Sequence, residues 1–136
     1  MIETVRLSEK ARNQLISLKR KTGIENWNTL CRWAFCASLA ESSTPPSEEI
    51  PSDSSVEMSW KVFSGGHETI YWGLLLLRAT QEGVPNEKEA LLRCFRLHLH
   101  RGISYLNGNA AVRNIADLAR YGLGSSERAS NRAARV

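Results

Sequence analysis

Histidine and cysteine are the first residues to test for chemistry, and their spacing argues against a metal centre. His98 and His100 stand two apart in a helical pattern, which points them to nearly opposite sides. Cys31 and Cys36, five apart, also diverge around a helix, and no CxxC or HExxH motif occurs. Phosphodiester cleavage would need clustered carboxylates holding divalent metal beside a lysine or histidine. The acids gather instead in a Pro/Ser stretch, leaving His67-Glu68 after Gly65-Gly66 as the local acid/base pair. A nicking nuclease using Glu68 and His67 is therefore the enzymatic alternative, although a turn and a helix start explain those residues equally well. Walker A, nucleophile-elbow and dinucleotide motifs are missing, so the sequence predicts no catalytic residues, no metal and no cofactor.

Positive charge is the more informative chemistry. The net charge of +4 over 136 residues is modest but uneven. Residues 1–22 hold six Lys/Arg against Glu3 and Glu9, residues 41–58 hold five acids and no base, and from residue 59 onward eleven bases face six acids. Two basic regions around an acidic one suggest a polyanion partner rather than a membrane, because no segment joins a wide apolar face to a dense basic one. The candidate phosphate contacts are Lys10, Arg12, Lys19, Arg20 and Lys21, then Arg6, with Arg93, Arg96 and Arg101 behind them. Lys19-Arg20-Lys21 is expected to form one ridge at a helix end, where cations also favour the macrodipole without any partner.

The elements that must position these residues begin with a short alternating segment, Thr4-Val5-Arg6-Leu7-Ser8, whose Val5 and Leu7 face one side and Thr4 and Arg6 the other. A helix follows from Ser8 with Ala11, Leu15 and Leu18 inward, and Gly23 stops it. A second helix starts near Asn26 or Asn28 and carries Leu30, Trp33, Ala34, Ala37 and Leu39 inward. This β-α-α order over residues 1–42 resembles a ribbon-helix-helix unit, in which two copies pair their strands into a ribbon that enters the DNA major groove. Such a unit cannot bury both faces alone, which predicts a homo-oligomer.

Residues 43–55 are rich in Pro and Ser and read as an acidic linker or loop. Val56, Met58, Trp60 and Val62 alternate, predicting an extended segment up to Ser64-Gly65-Gly66 that could pair with residues 3–7 in competition with the ribbon. Three further helices are expected. One, from about Glu68 to Gln81, is apolar around much of its circumference and reads as the central core element. The next runs from about Glu87 to His100 behind an Asn86/Glu89 capping box, and the last from about Ala110 to Tyr121 with Ala111, Val112, Ile115, Leu118 and Ala119 inward. Residues 56–121 thus complete one mainly α domain, and residues 122–136 read as a flexible basic tail. Cys31, Cys36 and Cys94 read as buried thiols suited to a reducing cytosol, and no signal peptide or membrane span is expected.

Three segments carry a family resemblance: Val5-Arg6-Leu7-Ser8 with its helix, Phe63-Ser64-Gly65-Gly66-His67-Glu68, and His100-Arg101-Gly102-Ile103-Ser104-Tyr105-Leu106. In this order, over roughly Glu3 to Tyr121, they resemble the DndE family of bacterial DNA sulphur-modification (phosphorothioation) proteins. The resemblance implies a small helical protein that assembles into a tetramer and binds DNA with a preference for nicked duplex. It also implies other subunits of the phosphorothioation complex as partners: an ATP-pyrophosphatase-type sulphur enzyme, an ATPase and an upstream cysteine desulfurase. On this basis the chain would be a nucleoid-associated, DNA-engaging accessory subunit that holds duplex through phosphates, with affinity multiplied around the oligomer. The alternatives are a ribbon-helix-helix regulator reading an operator through Thr4 and Arg6, and a protein-only adaptor anchored by Trp27, Trp33, Trp60 and Trp72.

Overall fold

The change from two-residue to helical periodicity at Ser8 sets the first two elements. The computed structural model describes residues 1–109 and 112–120. Strand β1 (Thr4–Arg6) buries Val5 and leaves Thr4 and Arg6 exposed. It pairs antiparallel with β2 (Glu57–Ser59), in the register Thr4↔Ser59, Val5↔Met58, Arg6↔Glu57. Backbone bonds from Leu7 N to the Val56 carbonyl (3.1 Å) and from Trp60 N to the Glu3 carbonyl (3.0 Å) extend the pairing. The ribbon expected between two copies is thus closed within one chain.

Helix α1 (Glu9–Thr22) starts where the Ser8 hydroxyl accepts from Ala11 N at 3.1 Å, and ends at Gly23, whose φ of 73° suits glycine. Helix α2 (Trp27–Leu39) buries Leu30, Cys31, Ala34, Phe35, Ala37 and Ser38. The extended segment expected up to Gly65 stops early. Ser59 accepts from Val62 N and caps a short helix α3 (Trp60–Ser64), which Gly65 closes at φ 62°. A serine with glycines six and seven residues on permits either a strand end or one helical turn, and burial of Trp60 and Phe63 together selects the turn.

Helix α4 (Glu68–Gln81) has the expected bounds but not the expected place. Only Leu75, Arg78 and Ala79 are buried in it, while Ile70 and Leu77 are each 60% exposed. The central pair is α2 against α5 (Lys88–Gly108), a 21-residue helix that runs well past His100. It begins one residue later than expected, with Glu87 at the cap making no side-chain bond, so the Asn86/Glu89 box does not form. Gly102, two residues past the expected helix end, sits where α5 crosses α2: a Cβ there would lie 1.7 Å from the Ala34 carbonyl oxygen. Around the crossing, Phe35, Phe63, Phe95, Trp60 and Tyr71 pack edge-on or tilted, with centroids 5.0 to 6.3 Å apart.

Residues 115–120 are helical and bury Leu118, and Val112 is buried just ahead of them, while Ile115 and Ala119 are exposed, contrary to their expected inward placement. With α3 this makes four helical segments after α2 rather than three. Ala110, Ala111, Tyr121 and the expected tail at residues 122–136 lie outside the described residues. Among the described residues, no helix is long and apolar enough to cross a membrane.

Candidate nucleic-acid interface

The candidate cations divide into those that point outward and those that hold the fold. On α1, Lys10 and Arg20 are exposed and make no hydrogen bond or ion pair among the described residues. Arg12 pairs with Glu9 at 3.2 Å and Arg6 with Glu57 at 2.8 Å, both at the surface. Lys19, Arg20 and Lys21 do not form one ridge. Successive helical residues point about 100° apart, so Lys19 lies over the Trp27 ring at 4.6 Å, Lys21 donates to the Asn107 carbonyl at 3.2 Å, and Arg20 projects between them. Arg93 on α5 is exposed and unpaired among the described residues.

Arg96 and Arg101 do different work. Arg96 donates to the carbonyls of Ile50 (2.7 Å) and Pro51 (3.1 Å). Arg101 donates to the Ser38 hydroxyl and carbonyl, each at 2.8 Å, and to the Ser43 carbonyl at 2.8 Å. Together with Asp53, which accepts from Glu9 N at 2.8 Å, and Ser54, which donates to the Leu7 carbonyl at 2.7 Å, they pin the Pro/Ser stretch as a strap along the domain. A loop without ladder hydrogen bonds needs such side-chain donors to satisfy its carbonyls.

A second polar cluster lies inside the protein. Glu82, just past α4, accepts from Arg78 Nε at 2.7 Å, His98 Nε2 at 2.8 Å and the Cys94 thiol at 3.9 Å. A carboxylate only accepts, so His98 carries its proton on Nε2 and its Nδ1 accepts from the Ser38 hydroxyl at 2.8 Å. Cys94 and His98 are i,i+4 neighbours on α5, a spacing the sequence displays, but their carboxylate comes from another helix. The three ligand atoms lie within 4.8 Å of one another. The Arg78 guanidinium already occupies Glu82, and a cation there would face its charge. Burial and Glu82 push the Cys94 thiol up to about 11, so the set acts as a saturated structural network.

The other thiols do not act alike. Cys31 is buried, which pushes its thiol up to about 12. Cys36 is exposed, against its expected burial, because its side of α2 faces Tyr71 rather than the α5 crossing; partial desolvation still holds its thiol above the ordinary value. None of the three carries the lowered pKa of an activated thiol. His67 is exposed and Glu68 half-buried, and their side chains are not joined by any hydrogen bond among the described residues. Of the four tryptophans, Trp60 is buried and Trp27, Trp33 and Trp72 are packed against the core.

His100 is buried. Its Nδ1 donates to the Arg96 carbonyl at 2.8 Å and its Nε2 accepts from Ser8 N at 3.1 Å, an arrangement open only to the neutral ring. Burial lowers its pKa to about 4. The unfolded chain, with histidine near 6.5, then binds protons that the folded chain does not. Stability is expected to hold above about pH 6.5 and to fall by roughly 3 kcal/mol as pH drops through 4. Denaturant midpoints between pH 7.5 and 4 check this, and His100→Gln should flatten the profile.

The three segments that carry the resemblance are fold contacts. Ser8 meets His100; Gly65 lies against Arg32, whose guanidinium donates to the Phe63 carbonyl at 2.9 Å; and Gly102 meets Ala34. Comparison with known proteins agrees with them. The family profile described as DNA sulphur modification protein DndE matches residues 4–114. A crystal structure of DndE from Escherichia coli B7A, involved in DNA phosphorothioation modification, superposes with a TM-score of 0.65 at 25% identity, covering 78% of this chain and 98% of that one. A glycine-to-lysine mutant of DndE involved in DNA phosphorothioation superposes with a TM-score of 0.63 at 20% identity, covering 80% of this chain and 100% of that one. No match was found among curated proteins.

Proposed function

The chain belongs to the DndE family of DNA sulphur modification proteins, whose work is DNA phosphorothioation, and from that premise we propose that it is a non-catalytic subunit that holds duplex DNA by its phosphates. The observation that carries this reading is the outer face of α1, where Lys10 and Arg20 project unpaired, with Lys19 and Lys21 on its flanks. Cations free of internal partners can exchange counterions for phosphates, giving affinity without base identity. Arg93 is a secondary contact, and Arg96 and Arg101 serve the strap first. The family resemblance extends the reading to nicked duplex, to a tetramer and to the other subunits of the modification complex, in a nucleoid-associated setting.

Self-association is supported by α4 more than by the β-α-α unit. Ile70, Leu74 and Leu77 form an exposed i, i+4, i+7 stripe that the described residues leave uncovered. An operator-reading regulator has less support, since β1 has its partner within the chain. Light scattering followed by titration of intact, nicked and single-stranded DNA of one sequence tests the proposal. A mass near four chains and tightest binding to nicked duplex are expected. A monomer, or failure to bind any of the three, would overturn it.

A further inference from the structure

The strap carries acids that the proposed function leaves unused, and they lie among the candidate cations. Glu48 and Glu49 line two grooves, one on each side of the strap. The first, about 600 Å³, is shared with Arg93 and Arg96, and Glu89 of α5 adds to its negative side. The second, about 390 Å³, is shared with Lys10 and Arg101, along with Asp53. Four of the nine candidate phosphate contacts therefore share a groove with strap carboxylates. Glu48 and Glu49 are exposed and make no ion pair among the described residues, so no direct partner neutralises their charge. What holds the strap is its backbone. Arg101 fixes it at Ser43, Arg96 at Ile50 and Pro51, and Ser54 bonds to Leu7. With the strap fixed on both sides of them, residues 48 and 49 place two carboxylates in the grooves that Arg93 and Lys10 line, without pairing with either.

We propose that the strap is a built-in acidic guard, with Glu48 and Glu49 repelling the phosphate backbone from Arg93 and weakening its hold on Lys10, so that the duplex is held chiefly on the Arg20 side of α1. The inference rests on the DNA-binding reading above. A phosphate approaching Arg93 must enter a groove that two unpaired carboxylates share, and like charges repel over a Debye length of about 10 Å at 0.1 M salt. The guard lowers affinity for all sequences alike, because neither partner reads bases. It also makes Arg93 a contact in reserve, silent while the carboxylates are charged.

The test uses the full chain, a short duplex and four proteins: wild type, Arg93→Ala, Glu48→Gln/Glu49→Gln, and the triple variant. Both glutamates are exposed and glutamine keeps their shape, so circular dichroism should match wild type. At about 50 mM salt the glutamine pair should bind roughly threefold tighter or more, the gain shrinking as salt rises. Arg93→Ala alone should change affinity little, and adding it to the glutamine pair should remove part of the gain, the rest belonging to Lys10 in the second groove. If wild type binds and the glutamine pair binds no tighter, or loss of Arg93 removes none of the gain, the guard is overturned. If neither binds DNA, the DNA-binding reading itself fails and the guard falls with it.

Discussion

Gly102→Ala is expected to destabilise the protein by about 3 kcal/mol or more, at or above the upper end of ordinary overpacking. The added Cβ would lie 1.7 Å from the Ala34 carbonyl oxygen and 2.4 Å from its carbon. Those are backbone atoms with no rotamer to turn away, so α2 and α5 must part where they cross. Parting them loosens the Phe35–Phe95 packing at 5.2 Å and the Ser38–His98 bond together. Gly73→Ala is the control. That glycine is also helical, but a Cβ there meets nothing within 4 Å, so propensity alone should stabilise by roughly 0.5–1 kcal/mol. Urea unfolding of both variants checks the pair, and a neutral Gly102→Ala would contradict the helix crossing described here.

Arg78→Met is expected to cost about 3–5 kcal/mol, the range for a buried charge left without its partner. Arg78 is 9% exposed and directs its donors inward: Nε to Glu82, one terminal nitrogen to the Leu39 carbonyl at 2.9 Å, the other to the carbonyls of Glu41 and Ser43. Methionine keeps the packing of the stem but strands the Glu82 carboxylate and the carbonyls of the strap's first turn. Adding Glu82→Gln to Arg78→Met should recover part of the loss, because the stranded group is then neutral. Equilibrium unfolding gives the energies, and hydrogen exchange over residues 39–43 should rise in the single variant. A loss below about 1 kcal/mol would show that the network does not hold the strap.

These two residues also mark the limit of what the sequence displays. Local signals were enough for Ser8 and Gly23 at the ends of α1, for alternation at Val5, and for the bounds of α4. The four-leucine run from Leu74 to Leu77 reads as core, yet a helix apolar all round needs neighbours on every side, and only Leu75 of the four is fully buried. Gly102 lies past the expected helix end at His100, and its reason for being glycine lies in Ala34, 68 positions away in the sequence. Arg78, Arg96 and Arg101 look alike as surface cations until the loop carbonyls that they satisfy are placed. The Glu82–Cys94–His98 cluster escapes a spacing test for the same reason: Cys94 and His98 share one face of α5, but their carboxylate arrives through the turn between α4 and α5. Of the candidate interface, the α1 cations were legible as charge, but their fanning around the helix was not.

The central claim is that unpaired α1 cations hold DNA by its backbone, and a salt-series titration of Lys10→Glu/Arg20→Glu beside wild type tests it most directly. Both side chains are exposed, so fold and oligomer mass should be unchanged. The account predicts weaker binding by the same factor on unrelated duplex sequences, and a log–log salt slope shallower by about 0.9 for each phosphate that the variant no longer neutralises. Unchanged affinity and slope, with the oligomer intact, would contradict it and move the DNA site off α1.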